Sequence, residues 1–567
     1  MNGGGLPDQL TLRGRRLAWR HQPLYADDPL AAWQGLLASR GLSEGDSYFT
    51  PRLADLPDPD GMRDMAKAAG RLATAIADAE HIHIFGDFDC DGVSGTAILV
   101  EALQAAGAHV TSSIPHRADD GHGIGVEPVG QAHADGATLG ISVDTGTTCF
   151  TACREAGKLG LDMIVTDHHL PDETLPEAFA LLNPSRADCG FADRLLCGTG
   201  VAFFLLVATW KRLKQAGQSP AFDLRRLLDR VAVATVADVM RLDGVNRILV
   251  HHGLQQLNAE PSIGMAALLD VARVKSTITS ETIGFHIAPR INAAGRMRHG
   301  EQAMRLLSTI DAAEAARLAA VLDESNRQRR QVEAEVFKQA EAKLAGSPVL
   351  AVYDPSWHAG VVGLAAGRLA RKHNRPAAVG FVMSDDRIRV SLRGRPGYHI
   401  GDLLNACSDV LEGFGGHAGA GGGTVRPGAW QGFVDAFAQA VEVQGRDAAR
   451  HPELAIDGVL GLDALHAGLA ERLARFEPLG QGNPPCQWML QQVQVVDRRE
   501  MKGGVVRLRL QQAVSRSAPL AAVVFGIGAM DEALRPGGTL SVVGQLQLDD
   551  WRGNGAVQFV VEDVLGG

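Results

Sequence analysis

The stretch HIHIFGDFDCDG, residues 81–92, joins a short apolar run to three aspartates at every second position. The alternating segment HIHIF predicts a strand, and SGTAILVEALQAAG at 94–107 predicts the helix that follows it. The same order recurs downstream: TLGISV at 138–143 precedes the helical TACREAGKLG, and LDMIVT at 161–166 follows directly. Strands that alternate with helices predict parallel β-α-β units. The expected fold class is therefore α/β, with a doubly wound parallel sheet between about residues 66 and 260.

Acidic and imidazole side chains follow these predicted strands at the points where each strand ends. Close like charges repel one another, and burying them unpaired is expensive. Because the loops after the carboxyl ends of parallel strands lie along one edge of a sheet, we expect the side chains to converge there. The candidates are Asp87 and Asp89 after HIHIF, Asp144 after TLGISV, His168 and His169 after LDMIVT, and Asp238 after the apolar run VAVATVA.

This set of oxygen and nitrogen ligands predicts a metal centre. Carboxylates with one or two imidazoles suit Mn²⁺ or Mg²⁺ better than Zn²⁺, which favours more nitrogen and sulfur. The groups suffice for two ions with one bridging carboxylate, and two ions about 3.5–4 Å apart suit in-line phosphoryl chemistry. Each motif alone is more typical of a helix cap or a turn, whereas four motifs in one domain favour the metal site. Asp91 is expected to cap the following helix, and His83 to lie in the core rather than to add a ligand.

Length and composition limit the classes of protein. A chain of 567 residues is too long for one hydrophobic core and predicts three or four domains. No apolar run approaches the roughly 20 residues that span a bilayer, and the N-terminus has no signal-peptide segment, so we expect a cytoplasmic protein without membrane association. The seven cysteines form no Cys-x-x-Cys pair, so neither a zinc knuckle nor a disulfide framework is indicated. The net charge of −10 argues only weakly against a nucleic-acid partner, because an acidic protein can carry a basic groove.

Patterns elsewhere divide the chain into further segments. A stretch with no proline or internal glycine begins near Asp311 and predicts a long connecting helix. A second α/β pattern follows it, and short alternating strands over about the last hundred residues predict a small OB-like β-barrel, a fold that commonly binds single strands. The predicted boundaries are an N-terminal arm at 1–65, the first α/β domain at 66–265, a helical linker at 266–347, the second α/β domain at 348–450 and the barrel at 451–567.

Four of the motifs together resemble the DHH phosphoesterase superfamily: GDFDCDG, SVDTG, TDHH and ATVADV. Their order is most similar to that of the bacterial 5′→3′ exonucleases specific for single-stranded DNA, and the similarity extends from about Arg40 onward. The further motifs that carry it are IPHRADDGHGIG (114–125), LLNPSRADC (181–189), IAPRINAAGRM (287–297), WHAGVVG (357–363), GGHAGAGGGT (415–424) and EPLGQGNPP (477–485). The resemblance implies a catalytic DHH domain and an accessory domain called DHHA1 at 348–450. The C-terminal barrel has no acidic ligand cluster in its strand pattern, so we expect it to raise affinity without carrying chemistry. Candidates to stack on bases there are Trp488, Phe525, Trp551 and Phe559, although we favour the barrel core for Phe525 and Phe559.

The resemblance also implies roles for the motif residues. With Asp144 as the bridge, the metal ligands match Asp87, Asp89, Asp144, His168 and Asp238. His169 matches a position near the scissile phosphate, and Asp167 is expected to orient the imidazoles. The implied reaction is metal-dependent hydrolysis of phosphodiester bonds in single-stranded DNA in the 5′→3′ direction, with release of 5′-mononucleotides, in DNA repair and recombination.

Substrate contacts are implied outside the metal centre. The expected substrate-binding residues are Arg117, Arg296, Ser391, Arg393, Gly415, Gly416 and His417. The arginines suit phosphate oxygens because of their planar fork, and the glycines permit close approach of the backbone to phosphates. Two positions depart from the family pattern: Phe85 replaces a histidine found in many relatives, and Gly394 replaces the second serine of a Ser-x-Arg-Ser stretch. The first departure leaves the contribution of position 85 open, and the second removes the hydroxyl group of one expected phosphate contact.

Two other functions are compatible with the motifs. A phosphodiesterase for short oligonucleotides or cyclic dinucleotides also uses the DHH–DHHA1 pair, although such proteins are usually smaller and lack the barrel. A non-catalytic DNA-binding replication scaffold would be expected to lose ligands, whereas the set here is intact. For the exonuclease, the resemblance suggests single-stranded DNA, a single-strand-binding protein and a helicase as partners, and we expect a monomer.

Overall fold

The computed structural model describes residues 9–115, 123–218, 220–297, 300–445, 451–512, 518–549 and 555–565. The N-terminal segment contains β1 (Arg16–Trp19), β2 (Tyr25–Ala26) and α1 (Pro29–Ser39). Helix α1 begins after Asp28, whose carboxylate accepts hydrogen bonds from the backbone N–H groups of Leu30 and Ala31. Three short 3-10 turns then lead to the first large sheet.

A five-stranded parallel sheet forms the centre of the first large domain. Its elements are α2 (Met65–Ala77), β3 (His81–Gly86), α3 (Cys90–Ala105), β4 (His109–Ser113), α4 (Val126–Ala134), β5 (Leu139–Val143), α5 (Phe150–Leu159), β6 (Asp162–Thr166), β7 (Ala180–Leu182), α6 (Gly198–Gln215), α7 (Leu228–Ala237) and α8 (Gly244–Ala259). The strand order is β4-β3-β5-β6-β7, and every neighbouring pair is parallel. Helices α2, α3 and α6 cover one face and α4 and α5 the other, which buries β5 along its whole length. The predicted α/β class with a parallel sheet is confirmed.

The position predicted for Asp238 at the end of a strand is wrong. The apolar run VAVATVA that precedes it lies in helix α7, and Val231, Ala232 and Val233 are fully buried between neighbouring helices. A continuous apolar run fits a helix buried on all sides as well as it fits a buried strand, so periodicity alone does not separate the two. Asp238 therefore follows the C-terminus of a helix that packs beside the sheet, rather than a strand.

Helices fill the region between the two α/β domains. They are α9 (Ile263–Val271), α10 (Ser280–Thr282), α11 (Ala288–Arg296), α12 (Gly300–Ser308) and α13 (Ala312–Lys343), with one turn of π-helix at Ile283–Ile287. Helices α9, α11 and α12 pack on α3 and α7, so this part of the expected linker belongs to the core of the first domain. The long helix α13 begins after Asp311 and connects two cores: Leu318 packs in the first, and Phe337 in the second.

The second α/β domain has a five-stranded mixed sheet. Its elements are β8 (Leu350–Asp354), α14 (Ala359–His373), β9 (Ala377–Val382), β10 (Ile388–Arg393), α15 (Ile400–Ala406), β11 (Leu411–Gly416), β12 (Ala420–Val425) and α16 (Trp430–Gly445). The order is β11-β12-β10-β9-β8, with β8 and β9 parallel and the other pairs antiparallel. Helix α14 packs on this sheet and faces α11 of the first domain at its N-terminal end.

The C-terminal domain is a closed barrel that takes in the N-terminal segment. Its elements are β13 (Glu453–Ile456), β14 (Gly458–Leu460), α17 (Ala467–Ala474), β15 (Trp488–Glu500), β16 (Val505–Gln512), β17 (Leu520–Phe525), β18 (Thr539–Leu548) and β19 (Val557–Leu565). Strand pairing in the order β15-β16-β17-β19-β18-β15 closes five strands, which confirms the predicted OB-like barrel. Strands β1 and β2 pair with β13 and β14, and the buried Trp33 of α1 packs in the barrel core, so the predicted arm has no separate core.

The burial of the aromatic side chains in the barrel domain differs in part from the predicted burial. Of the aromatic residues considered for base stacking, Trp488 and Phe559 are fully buried, whereas Phe525 is 57% exposed. The core position favoured for Phe525 is therefore wrong, and Trp551 lies outside the described residues. The seven cysteines of the chain are all buried and free. Within the described ranges, no helix combines the length and apolar character needed to cross a membrane.

Candidate metal centre

The acidic and imidazole groups of the motifs lie together at one edge of the parallel sheet. Asp87, Asp89 and Asp144 each place a carboxylate oxygen within 4.8 Å of the others. His168 joins this cluster, because its Nε2 lies 3.1 Å from Oδ1 of Asp144 and 3.6 Å from Oδ2 of Asp238. The structure thus brings together the residues predicted as ligands, although Asp238 reaches the cluster from a helix terminus.

The first motif folds into a tight loop between β3 and α3. Asp89 is the N-cap of α3, because its Oδ1 accepts hydrogen bonds from the N–H groups of Asp91 and Gly92 at 2.8 and 3.2 Å. A side chain at Gly92 would place Cβ 2.5 Å from the backbone nitrogen of Asp87, so only glycine allows this return of the chain. The cap predicted for Asp91 is therefore wrong, since Asp89 takes that position.

Asp91 instead caps a helix that is distant in sequence. Its buried carboxylate accepts hydrogen bonds from the N–H groups of Gly198 and Thr199 at 2.6 and 2.8 Å, at the start of α6. Asp91 Oδ2 is also 3.9 Å from His168 Nε2, so this carboxylate borders the cluster. The start of α6 also packs closely against the second motif, because a Cβ at Gly198 would lie 2.6 Å from Cα of Asp144. Asp144 itself has a positive φ of 60°, a conformation that aspartate tolerates better than most residues.

The buried carboxylate of Asp167 orients His168 and His169 through hydrogen bonds. Its Oδ1 accepts hydrogen bonds from the backbone N–H groups of His168 and His169 and lies 2.7 Å from Nδ1 of His169. Its other oxygen accepts the N–H of Thr147 at 2.9 Å. These bonds lower the pKa of Asp167 despite its burial, and the hydrogen bond to Asp167 raises the pKa of His169 to about 9. His168 is buried, which lowers its pKa and leaves a neutral imidazole that can bind a metal.

The carboxylates of the cluster are not stable together as free anions. Burial, and then the neighbouring carboxylates, raise the pKa of Asp144 well above its usual value and that of Asp238 to about 8; they raise the pKa of Asp89 as well. Among the described atoms, Oδ1 of Asp144 is buried and receives no hydrogen bond, although His168 Nε2 is near. A buried carboxylate oxygen without a donor, surrounded by other carboxylates and one imidazole, fits a hard dication such as Mn²⁺ or Mg²⁺.

Two side chains that the sequence analysis did not single out support the histidine loop. Asn183 donates hydrogen bonds from Nδ2 to the carbonyl of His169 at 2.8 Å and to Thr147 Oγ1 at 2.9 Å. Ser185 Oγ donates to the carbonyl of His168 at 3.0 Å. Both belong to the motif LLNPSRADC, so the motif was visible in the sequence, whereas its role depends on contacts that only the fold reveals.

Helix α11 supports the first motif from the opposite side. Asn292 Oδ1 accepts the N–H of Cys90 at 2.8 Å, and a Cβ at Gly295 would lie 2.1 Å from the carbonyl oxygen of Phe88. At the end of the same helix, Arg296 Nη1 donates to the carbonyl of Gly360 in the first turn of α14, at 3.1 Å. Helix α11 therefore joins the metal cluster to the second α/β domain.

The predicted substrate-binding residues Ser391 and Arg393 lie beside the second turn of α14. Arg393 Nη1 donates to Ser391 Oγ at 3.1 Å, and both side chains would contact a Cβ at Gly363, at 3.0 and 2.9 Å. Arg296 and this pair thus contact successive turns near the start of α14. At the family departure Gly394, a Cβ would lie 3.0 Å from Cγ1 of Ile400, so the site is tightly packed. The predicted residue Arg117 lies outside the described residues.

The glycine-rich stretch forms a hairpin of the second sheet. Gly415 and Gly416 end β11, the N–H of His417 donates to the carbonyl of Ala420 at 2.8 Å, and all three residues are exposed. A Cβ at Gly415 would meet no atom within 4 Å, so packing does not require glycine there. Bare backbone at an exposed position leaves room for a ligand to approach closely.

Phe85 and His83 take no part in the cluster. Phe85, at the departure from the family pattern, is buried in an apolar group with residues of α4 and α5. His83 hydrogen-bonds Thr111 and Ser113 of the neighbouring strand, and burial lowers its pKa to about 4. Neither side chain is a candidate ligand, as expected for His83, although His83 is half-buried beside the edge strand β4 rather than in the core.

Comparisons with known proteins agree with this architecture. The chain matches the family models of the DHH family N-terminal domain at residues 81–235, of the DHHA1 domain at 346–443 and of the RecJ OB domain at 456–563. It is 35% identical to the single-stranded-DNA-specific exonuclease RecJ of Dickeya dadantii, over 88% of this chain and 90% of that protein. It is 33% identical to the Escherichia coli exonuclease of the same name, over 93% and 95% of the two chains.

A solved structure shares the whole arrangement. The crystal structure of RecJ from Thermus thermophilus in complex with Mn²⁺ superposes with a TM-score of 0.78 at 29% identity, over 97% of this chain and 80% of that one. Sequence identity over nearly the full length, three matching domain families in the same order and a common fold lead to one assignment. The chain belongs to the RecJ family of single-stranded-DNA-specific exonucleases.

Proposed function

We propose that this protein hydrolyses phosphodiester bonds of single-stranded DNA in the 5′→3′ direction and releases 5′-mononucleotides, in DNA repair and recombination. The observation that carries the proposal is the cluster of Asp87, Asp89, Asp144, His168 and Asp238 in a chain that resembles RecJ exonucleases throughout its length. A scaffold that only binds DNA would not need buried carboxylates at this density, and the closed barrel separates the chain from smaller DHH–DHHA1 phosphodiesterases.

In this proposal the cluster holds two ions, Mn²⁺ or Mg²⁺. When bound, they activate the attacking water and stabilise the charge that develops on the phosphate. Asp144, at the centre of the cluster, would serve both ions, with Asp87 and Asp89 holding one and His168 and Asp238 the other. Asp167 keeps His169 oriented and protonated, so that an N–H of this imidazole is available to a phosphate oxygen of the substrate.

The other domains bind the strand. Arg296, Ser391 and Arg393 lie along the first two turns of α14, near the helix start whose dipole favours a phosphate, and we assign this place to the 5′-terminal phosphate. The exposed glycine backbone at residues 415–417 lies on a hairpin of the same domain and suits the next phosphates. On the barrel, the exposed Phe525 lies on β17 beside β16, which carries the exposed Arg509. Phe525 pairs with Val505, and Arg509 lies four residues further along β16 on the same face, so the ring suits a stacked base and the arginine a phosphate further along the strand.

Location and partners form part of the same proposal. An enzyme that accepts only single strands depends on unwound DNA, so we propose that a helicase and a single-strand-binding protein supply its substrate in the cytoplasm. We further propose that it acts as a monomer, because the described parts of the chain contain all of the candidate ligands.

Three substrates with Mn²⁺ and with Mg²⁺ test the proposal: a 5′-labelled single strand, the same strand in a duplex, and a cyclic dinucleotide. We expect rapid release of labelled mononucleotide from the single strand, little from a blunt duplex, and no cleavage with a chelator. Preferred cleavage of the cyclic dinucleotide would assign the chain to the phosphodiesterases, and strand binding without cleavage would indicate a scaffold.

A further inference from the structure

The turn that follows Asp238 is held by the C-terminal domain. Residues 239–243 join α7 to α8, and the N–H of Leu242 donates to the carbonyl of Gln481 at 2.7 Å. The Leu242 side chain is buried in the core of the first domain, and a Cβ at Gly480 would lie 2.8 Å from its Cδ1. The segment of the barrel domain at 476–483 therefore lies directly against the turn.

Arg247, on the first turn of α8, fixes this contact. Its guanidinium is buried and donates three hydrogen bonds, to the carbonyls of Tyr48, Phe476 and Glu477 at 3.0–3.1 Å. It also lies 3.6 Å from the ring centroid of Tyr48, which adds a cation–π contact. A planar fork that binds three carbonyls of another domain is not replaceable by lysine.

Ser280 makes a second contact with the same segment. Its Oγ hydrogen-bonds the carbonyl of Leu479 at 2.5 Å and the carboxylate of Glu477 at 3.0 Å. Within the segment, Asn483 Nδ2 donates to the carbonyls of Phe476 and Pro478 at 2.8 and 2.7 Å. The segment is thus ordered by itself and anchored to the first domain at two further places besides Leu242.

The backbone beside Asp238 leaves α7 in a left-handed turn that leads directly to the anchored Leu242. Val239 has a φ of 56°, a left-handed conformation that β-branched residues rarely adopt, and its side chain is 69% exposed. Packing of the valine does not explain the conformation; the helix end stabilises it, since the N–H groups of Val239 and Met240 donate to carbonyls in the last turn of α7 at 3.1 and 3.2 Å. Leu242, three residues further on, is the point at which the barrel domain holds this turn.

We propose that the segment at 476–483, through Arg247 and Leu242, positions Asp238 in the metal centre, so that the barrel domain shapes the site as well as binding the strand. The inference rests on the proposed function, in which Asp238 is a metal ligand. Arg247 is a positioning residue, because it contacts neither the cluster nor the substrate path and acts through the turn at 239–243.

The test measures Mn²⁺ affinity and turnover separately in the full-length protein. Free Mn²⁺ is titrated by electron paramagnetic resonance without DNA, and kcat is measured at saturating single strand. Arg247→Ala and Ser280→Ala should weaken Mn²⁺ binding, the first by roughly tenfold or more, as loss of an outer support of a metal ligand usually does. Turnover should fall as well, and excess Mn²⁺ should restore part of it.

A matched control is Arg15→Ala. Arg15 also makes three hydrogen bonds, to Glu562 and Asp563, but these lie within the barrel domain and its N-terminal segment. Its replacement should lower the melting temperature without changing Mn²⁺ affinity. Unchanged Mn²⁺ affinity in Arg247→Ala and Ser280→Ala, or an equal loss in Arg15→Ala, would overturn the inference. If Arg247→Ala does not fold, Ser280→Ala alone decides. A parent that binds Mn²⁺ but cleaves no DNA would refute the proposed function and leave the binding test valid.

Discussion

Replacement of Asp238 by asparagine tests the electrostatics of the cluster in the metal-free protein. Burial, together with the carboxylates of Asp91 and Asp89, raises the pKa of Asp238 from 3.8 to about 8. A carboxyl group whose pKa is raised by folding destabilises the folded state as the pH rises from the unfolded pKa through the folded one. The interval from the unfolded pKa of 3.8 to pH 7 spans about 3 pH units, and each unit costs ~1.36 kcal/mol. At pH 7 the metal-free parent has therefore lost up to about 4 kcal/mol of its free energy of unfolding through this one group.

Asparagine has almost the shape of aspartate but does not ionise. Without metal at pH 7, Asp238→Asn should therefore be more stable than the parent, by up to about 4 kcal/mol, and less dependent on pH between 4 and 8. With Mn²⁺ the order should reverse, because the parent gains the free energy of metal binding. Since the chain has several cores, the local readout is hydrogen exchange of the peptides that cover β5 and α7, with chelator or with Mn²⁺, from pH 5 to pH 8.

The control for this experiment is the exposed aspartate Asp172, which lies outside the cluster. Asp172→Asn should leave both the stability and its pH dependence near those of the parent. The reasoning is refuted if Asp238→Asn is less stable than the parent without metal, or if both proteins lose stability equally between pH 5 and pH 8.

Three further substitutions test separate parts of the account. Mn²⁺ should raise the melting temperature of the parent, and of His168→Ala by less; an identical rise would remove His168 from the ligands. Phe525→Ala should raise the KM for long strands roughly tenfold with little change in kcat, because a stacked base is worth about 1–3 kcal/mol, and a loss of kcat alone would contradict this. Arg393→Ala, assayed at fixed salt, should slow cleavage of 5′-phosphorylated strands far more than of 5′-hydroxyl strands. An equal loss of cleavage rate on both substrates would show that Arg393 contacts internal phosphates rather than the 5′-terminal one.

The sequence predicts those parts of the site that depend on local pattern. Asp87, Asp144 and His168 each follow a short strand of a parallel sheet, and the common edge of such a sheet explains why they meet. Asp238 reaches the cluster by a different route, at the end of α7, and no periodicity in VAVATVA distinguishes a buried helix from a buried strand. Asp238 was predicted to lie at a strand end, and that strand is a helix, so of its two supports in the sequence only the motif ATVADV remains.

Contacts between distant segments could not be predicted from local pattern. The carboxylate of Asp91 caps α6, more than a hundred residues away, and the motif at 477–485 lies against the turn after Asp238. Phe525 was expected to fill the barrel core, yet it ends β17 with most of its surface exposed. These features depend on how the domains pack, which alternation and propensity do not encode.

The most direct test of the central claim is to count bound Mn²⁺ and measure turnover on a single strand in the same samples of the parent and Asp144→Ala. Asp144 is buried and belongs to two of the three groups of described side chains that could hold an ion, so its loss removes a ligand from both. The account predicts two ions per parent chain, fewer in the variant, and turnover lower by roughly three orders of magnitude or more, since bound ions supply several kcal/mol of transition-state stabilisation. A folded Asp144→Ala variant that binds two ions, or that cleaves within tenfold of the parent, would contradict it.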